Sequence, residues 1–365
     1  MTLHIPAGAS APDITRYSSP IVRYLGSLYG RVAARRRAWY ARHPEARRRL
    51  GHPVISVGNL VVGGSGKTPT VAALVRLLLD AGERPSILSR GYARRARTRG
   101  VVVVSNGERV LEPVSQSGDE PQMLARTLPG VPVLVGSDRY LGGLMAEREF
   151  ACTVHVLDDG FQHLAVARDI DLLMIAPADL DDRVLPAGRL REPLSSARAA
   201  DALLVTGDDE AGPVARRLDV STSFRVLTAS GAPRLIEPFG TPMPAASGAR
   251  ALAFAGIARP ERFFDAARRQ GWEVVRTISF RDHYWFKVSD VDQLLALARS
   301  LSTDVVLTTE KDAMRLLDLP IGAATPGFAY LPMSVAIEPA DVFAEWLGER
   351  LLAARRSRTN LSTHA

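Results

Sequence analysis

From residue 53 onward, short apolar runs alternate with stretches whose apolar positions recur every three or four residues. "PVISV", "PSIL", "VPVLV", "TVHVLD", "DIDLLMI" and "DALLVTG" have the length and β-branched content of strands, whereas "TVAALVRLLLDAG" has the period of a helix. Strands alternating with helices predict βαβ units and a mainly parallel sheet covered by helices. A Pro/Gly/Ala-rich passage, "SGAPRLIEPFGTPMPAASGAR", separates this series from a second one that runs from "ALAFAGIA" through "EVVRTISF" and "DVVLTT" to a last helix near "ADVFAEWLGERLLAARR". The expected division is therefore an N-terminal segment over 1–52, a larger α/β domain over 53–225, a smaller α/β domain over 226–350 and a disordered tail over 351–365.

The N-terminal segment has a different pattern. Ile21, Leu25, Leu28, Tyr29, Val32 and Trp39 fall on one helical stripe, and the other faces are mostly arginine. Two readings fit: a basic amphipathic helix that enters a membrane headgroup layer, or a helix docked on the protein's own core with its arginines in water.

Charge sharpens the contrast. The chain carries a formal +7, yet residues 1–52 hold ten Arg against Asp13 and Glu45, so the excess lies in that arm. Of 46 basic residues only Lys67, Lys287 and Lys311 are lysine, which gives each retained lysine weight. Cys152 is the only cysteine and has no internal disulfide partner, so a reducing compartment is expected. No run approaches the 18 apolar residues of a membrane span. Nucleic-acid binding has the basic arm in its favour but no recognisable binding motif.

The rare Lys67 sits in "SVGNLVVGGSGKTPTV", a glycine-rich turn between a strand that ends near Val57 and a helix that begins at Thr68-Pro69. This is the layout of a phosphate-binding loop. Gly63, Gly64, Ser65 and Gly66 let backbone N–H groups converge on phosphate oxygens, Lys67 neutralises the β- and γ-phosphates, and the Thr68 hydroxyl ligates Mg²⁺. The first glycine of the Walker A pattern is replaced by Val61. In "TVHVLDDGFQH" a strand ends in Asp158-Asp159, the position of a carboxylate pair that holds Mg²⁺. Acceptor chemistry has two candidates: Asp119 in "GDEP", and Asp282 with His283 in "SFRDHYWF". An aspartate aligned by a histidine takes a hydroxyl proton as that oxygen attacks phosphorus.

"SVGNLVVGGSGKTP", "ILSRGY", "GDEP", "GSDR", "LDDGFQH", "RDIDLL", "LPAGRLREPLSS", "FRDHYWF" and "TTEKDAMRL" occur in an order that resembles the tetraacyldisaccharide 4′-kinase (lipid A 4′-kinase) family over roughly residues 15–345. The resemblance implies a P-loop, Rossmann-like domain with a smaller lid-like α/β domain and a membrane-associated N-terminal helix. It implies ATP and Mg²⁺ as cofactors, and transfer of the γ-phosphate to the 4′-hydroxyl of a tetraacyldisaccharide 1-phosphate. It also implies a peripheral monomer at the cytoplasmic face of the bacterial inner membrane, with no nucleic-acid partner. By the same resemblance Lys67 and Thr68 take nucleotide and metal roles, Asp119 is the base with His283 assisting, and Asp158 and Asp159 sit at the metal. Gln162, His163, Arg191 and Glu192 line the site, Arg191 stabilising the transferring charge and Glu192 supporting Mg²⁺, or the two forming a structural ion pair. Lys311 meets nucleotide or forms an ion pair at a helix start, and the arginines of "RGYARRARTRG" meet phosphate or remain solvated. The family more often has Phe-Pro-Asp-His-His where this chain has "FRDHY", so Arg281 and Tyr284 depart from it. A membrane-bound nucleotide switch shares the Gly-Gly-x-Gly-Lys-Thr loop, but such ATPases usually carry Lys before the paired glycines, where this chain has Val62.

Overall fold

The computed structural model describes residues 19–64, 66–91, 94–95, 100–207, 210–243, 248–322 and 325–362. Its strands are β1 (Val54–Asn59), β2 (Pro85–Ser89), β3 (Val102–Asn106), β4 (Pro132–Val135), β5 (Val154–Asp158), β6 (Ile170–Ile175), β7 (Ala202–Thr206), β8 (Ser223–Ser230), β9 (Arg234–Leu235), β10 (Arg250–Ala255), β11 (Glu273–Ser279), β12 (Val305–Thr309), β13 (Gly327–Leu331) and β14 (Met333–Glu338). Among the described residues these form two sheets, ordered β14-β8-β7-β6-β1-β5-β2-β4-β3 and β11-β10-β12-β13-β9. The first sheet is parallel at β8-β7-β6-β1-β5-β2-β4 and turns antiparallel at β3. The second is parallel except where β9 meets β13. This is the α/β architecture expected, with a large, mostly parallel sheet and a smaller one.

By contact the described residues fall into two units: Gly118–Met123 with Ala229–Ser334, and the remainder. Two details differ from the sequence expectation. The last helix runs from Ala340 to Ser362, so 351–362 is ordered helix and not a free tail; residues 363–365 lie outside the described residues. The strand and helix around it belong to the larger unit, because Ile337, Phe343, Leu347 and Leu351 pack into the same core as Ile55, Val57, Leu74 and Val156. Each fully buried aliphatic side chain of this kind contributes roughly 1.5–3 kcal/mol. Ion pairs extend the docking past the apolar stripe, from Arg355 to Glu83 at 2.6 Å and from Arg358 to Asp169 at 2.6 Å.

β1 is buried along its whole length, as a central parallel strand must be. It lies between β5 and β6, so the loops leaving the C-terminal ends of β1 and β5 emerge side by side, with Val57 in register with Asp158. In open parallel sheets ligands bind beyond these strand ends.

The N-terminal helix, Pro20–Arg42, does dock on the protein, but not through its apolar stripe. Its buried residues are Gly26 and Gly30, which lie against Val184, Ala187 and Pro193; a side chain at Gly26 would come within 2.9 Å of the Val184 carbonyl oxygen. The helix thus docks through its small residues. The apolar stripe faces away from the core: Ile21, Leu25, Leu28, Tyr29, Val32 and Trp39 are 44–70% exposed.

Candidate active site

The helix that follows the glycine loop spans Lys67–Asp80, and its N-cap is Gly66, which has no side chain to cap it. Gly66 precedes it at φ +79° and Gly63 lies at φ +106°, both in the left-handed region that only glycine adopts freely. A side chain at Gly63 or Gly64 would meet nothing within 4 Å, so the loop is open above its backbone. A helix N-terminus with its dipole, preceded by an open glycine loop, is the geometry of an anion site. Ser65 lies outside the described residues.

The second half of this site is built on the turn after β5. Gly58 permits the approach: any side chain there would come within 2.7 Å of the Phe161 backbone nitrogen. Gly160 then donates its N–H to the Val57 carbonyl at 3.1 Å, and Gln162 Nε2 donates to the Asn59 carbonyl at 3.0 Å. Asp159, at φ +54°, sits in a conformation that Asp tolerates better than most residues.

These turns collect the charged groups. Lys67 Nζ donates to Asn59 Oδ1 at 3.0 Å and lies 3.5 Å from Asp159 Oδ1. Arg191 Nη1 donates to both oxygens of Asp159, at 2.7 and 2.9 Å, and to Gln162 Oε1 at 3.3 Å. Burial would raise the Asp159 pKa, but Lys67 and Arg191 outweigh it and hold the carboxyl below its ordinary value. Asp158 is buried at the end of β5, where Ser89 Oγ donates to it at 3.2 Å. Thr68 is buried in the first turn of the helix. The structure thus brings Lys67, Asp159, Arg191 and Gln162 into one cluster, flanked by Asp158 and Thr68.

Two further candidates have partners outside the Lys67 cluster. Glu192 spends both carboxylate oxygens on Arg37 of the N-terminal helix, at 2.6 and 2.9 Å, and the Arg37 guanidinium also lies over the Phe161 ring. In this structure Glu192 forms a bidentate ion pair, and its partner is Arg37, not Arg191. The His163 backbone N–H donates to the Gly160 carbonyl and its carbonyl accepts from Arg168, while burial with the charges of Arg139 and Arg168 pushes the imidazole pKa down to about 4. It is a neutral imidazole. Of the basic loop, Arg97 and Arg99 lie outside the described residues.

The smaller unit holds a second cluster. Asp119, with an exposure of 3%, receives His283 Nδ1 at 3.1 Å and the guanidinium of Arg315, both on Oδ2. Lys311 Nζ lies 3.1 Å from Glu120 Oε1, 3.3 Å from His283 Nε2 and 3.9 Å from Asp119 Oδ2. Lys311 therefore binds an acid far away in sequence, not one at its own helix start. Asp282 is the outlying member, 3.9 Å from His283 Nε2. Burial opposes ionisation of Asp119, yet the His283 hydrogen bond and the charges of Lys311 and Arg315 prevail and hold it far below the usual carboxylate range.

The model of the tetraacyldisaccharide-1-P 4'-kinase family matches residues 18–352. The chain belongs to that family. Its relatives include the tetraacyldisaccharide 4'-kinases of Geobacter sulfurreducens, 38% identical over 93% of this chain and 96% of that one, and of Bradyrhizobium diazoefficiens, 38% identical over 93% and 95%. Among solved structures, the "apo" form of LpxK from Aquifex aeolicus in complex with ATP superposes with a TM-score of 0.74 at 32% identity, covering 90% of this chain and 97% of that one.

Sequence reasoning missed four residues of these clusters: Asn59, Glu120, Arg315, and Asp312, which pairs with Arg315 at 2.9 Å. Asn59 ends "SVGN", and a polar residue closing an otherwise apolar buried strand was the available signal. Asp312 and Arg315 stand in "TTEKDAMRL" beside Lys311, and only the motif itself marked them. Within the 4'-kinase family pattern, Arg37 carried no signal at all.

Proposed function

We infer that the chain is an ATP-dependent kinase that phosphorylates the 4′-hydroxyl of a tetraacyldisaccharide 1-phosphate, a step of lipid A biosynthesis. The observation that carries this reading is Lys67, one of three lysines in the chain, standing at the start of the helix after a glycine loop and linked to Asp159 in a member of this family.

The glycine-loop amides and Lys67 bind the triphosphate of ATP. Arg191, held by Asp159 and Gln162, supplies a second cation for charge on the transferring group. Among the described residues no three His, Cys, Asp or Glu side chains converge as a metal cage. Mg²⁺ needs none, because it keeps waters and takes phosphate oxygens with one or two protein oxygens. The Thr68 hydroxyl and the carboxylates of Asp158 and Asp159 are hard oxygen donors that suit it, and when bound it would neutralise charge on the phosphates. Asp119 and His283 are the proton-accepting pair. As the sugar oxygen bonds to the γ-phosphorus, the bond from that phosphorus to the β–γ bridging oxygen breaks, ADP leaves and the hydroxyl proton passes to the pair.

The acceptor's four acyl chains keep it in a bilayer, and the exposed stripe of the N-terminal helix is supported as the means of reaching it. Leu25, Leu28 and Val32 offer an apolar face, and Arg31 and Arg35 supply charge for anionic headgroups. No helix among the described residues is long and apolar enough to cross a membrane, which fits peripheral attachment at the cytoplasmic face of the inner membrane.

Incubation with ATP, Mg²⁺ and detergent-dispersed disaccharide 1-phosphate tests the reading. A lipid product one phosphate heavier, substituted at the 4′ position, is expected; ADP release with no lipid product would point to a nucleotide switch instead.

A further inference from the structure

Arg315 is 3% exposed, in a short helix, Glu310–Leu316, and arginine is almost never so buried unless it is paired. Its fork is divided between two acids. Nη1 donates to Asp312 Oδ1 at 2.9 Å and to the carbonyls of Gly256 and Tyr284 at 3.3 and 3.4 Å, while Nη2 donates to Asp119 Oδ2 and lies 3.4 Å from His283 Nδ1. Asp312 is itself fixed. It accepts from the Gly256 N–H at 2.9 Å and from Thr309 Oγ1 at 2.7 Å, and it is fully buried. A side chain on Gly256 would come within 3.0 Å of the same carboxylate, so this anchor has no slack.

Buried ion pairs seldom add net stability over an apolar core, since desolvation consumes the Coulombic gain. A buried arginine held rigidly on one side and offered to Asp119 on the other therefore calls for another explanation. We propose that Arg315, anchored by Asp312, is a positioning residue for phosphoryl transfer that keeps the Asp119 carboxylate ionised and fixed on Nδ1 of His283. This rests on the assignment of Asp119 and His283 as the proton-accepting pair.

Around Asp119, His283, Lys311 and Arg315 all favour the ionised carboxylate, and Arg315 is the cation whose guanidinium touches it. Oδ1 accepts the Glu120 N–H at 3.0 Å, and Oδ2 carries both His283 and Arg315. Lys311 stands farther off and is engaged by Glu120, while Asp282 and Asp312 are the remaining acids around the cluster. Without Arg315 the carboxylate would keep His283 and the more distant Lys311 but lose its contacting guanidinium in a nearly dry site, where burial favours its neutral form. A neutral Asp119 accepts no proton and holds no histidine in register. Arg315→Lys keeps a charge but loses the planar fork that reaches Asp119 and Asp312 together.

The test is the pH profile of kcat at saturating ATP and lipid for the wild-type chain, Arg315→Lys, Arg315→Met and Asp119→Ala. For Arg315→Lys a kcat about 10-fold lower is expected, with the acid limb moved up by about 1 pH unit and KM for ATP within about twofold. Arg315→Met moves the limb further in the same direction if it folds; Arg315→Lys decides the question if it does not. An Arg315→Lys profile that keeps its acid limb and its kcat, or that changes only in thermal stability, would overturn the proposal while a loss of kcat in Asp119→Ala left the acid–base pair standing. Full activity in Asp119→Ala would remove the pair, and the proposal with it.

Discussion

Lys67 Nζ and Asn59 Oδ1 are 3.0 Å apart, a hydrogen bond that joins the last residue of β1 to the first residue of the helix across the glycine loop. Asn59 is buried at the strand end and cannot move, so it sets where the lysine starts. Asn59→Ala should raise KM for ATP and lower kcat, together by roughly 10-fold in kcat/KM, the cost of about one charge-assisted hydrogen bond. Steady-state kinetics at varied ATP check this. Unchanged constants would make Asn59 a packing residue.

Lys67 stands at the start of the loop's helix, whereas Arg191, the second cation of the cluster, is oriented by Asp159 and Gln162 and does not take its position. Lys67→Ala should abolish measurable phosphoryl transfer, with a loss of at least about 10²-fold. Near-normal turnover would remove the glycine loop from the reaction.

Glu192 should behave differently from the residues around Lys67. Its bidentate pair with Arg37 fastens the N-terminal helix, and its side chain is 5% exposed. Removing one member of such a pair strands the other, at a cost of about 3 kcal/mol. Glu192→Ala should therefore lower the melting temperature by several degrees, and Arg37→Met/Glu192→Met should recover part of it. A variant with normal stability and no activity would return Glu192 to the metal.

The strand, loop and helix around Lys67 were legible in the sequence because the chemistry is local. Glycines that need positive φ, a scarce lysine and the next helix lie within a dozen residues, and Asp158-Asp159 closes an apolar run. What was not legible is held together over long separations. Arg315 and Asp119 are 196 positions apart, and Arg37 and Glu192 are 155 apart. No periodicity links such pairs. The C-terminal helix was misread for a similar reason: "SRTNLS" looks like a solvated tail until Arg355 and Arg358 are seen to reach Glu83 and Asp169. In the N-terminal helix the apolar stripe was visible, but its outward direction depended on Gly26 and Gly30 meeting Val184 and Pro193.

That outward stripe leads to a membrane prediction. Leu28→Glu/Val32→Glu should weaken binding to vesicles containing anionic lipid by roughly 10-fold or more, because two exposed apolar side chains are replaced by charges repelled from the surface. Added salt should weaken the wild-type interaction as well. Co-sedimentation measures both, and equal binding by the variant would leave the stripe without this role.

His163 gives the fold a pH dependence. Its pKa is about 4 in the folded chain, against about 6.5 for an unperturbed histidine. The unfolded chain therefore binds more protons between these values, so stability is full above about pH 6.5 and falls as pH drops toward 4. Allowing for solvent screening of a partly exposed ring, the loss is on the order of 1–2 kcal/mol. Denaturant unfolding at pH 7.5 and 5 should show it, and His163→Gln should reduce the difference. An identical difference in the variant would assign the dependence to other groups.

The central claim is that one reaction uses both the triphosphate held at Lys67 and the proton acceptor at Asp119. Its most direct test is Asp119→Ala, with ATP affinity and single-turnover transfer of labelled γ-phosphate to the lipid measured on the same preparation. The account predicts ATP affinity within about twofold of wild type and transfer slowed by at least about 10²-fold. Transfer at the wild-type rate, or a loss that appears only as weaker substrate binding, would contradict it.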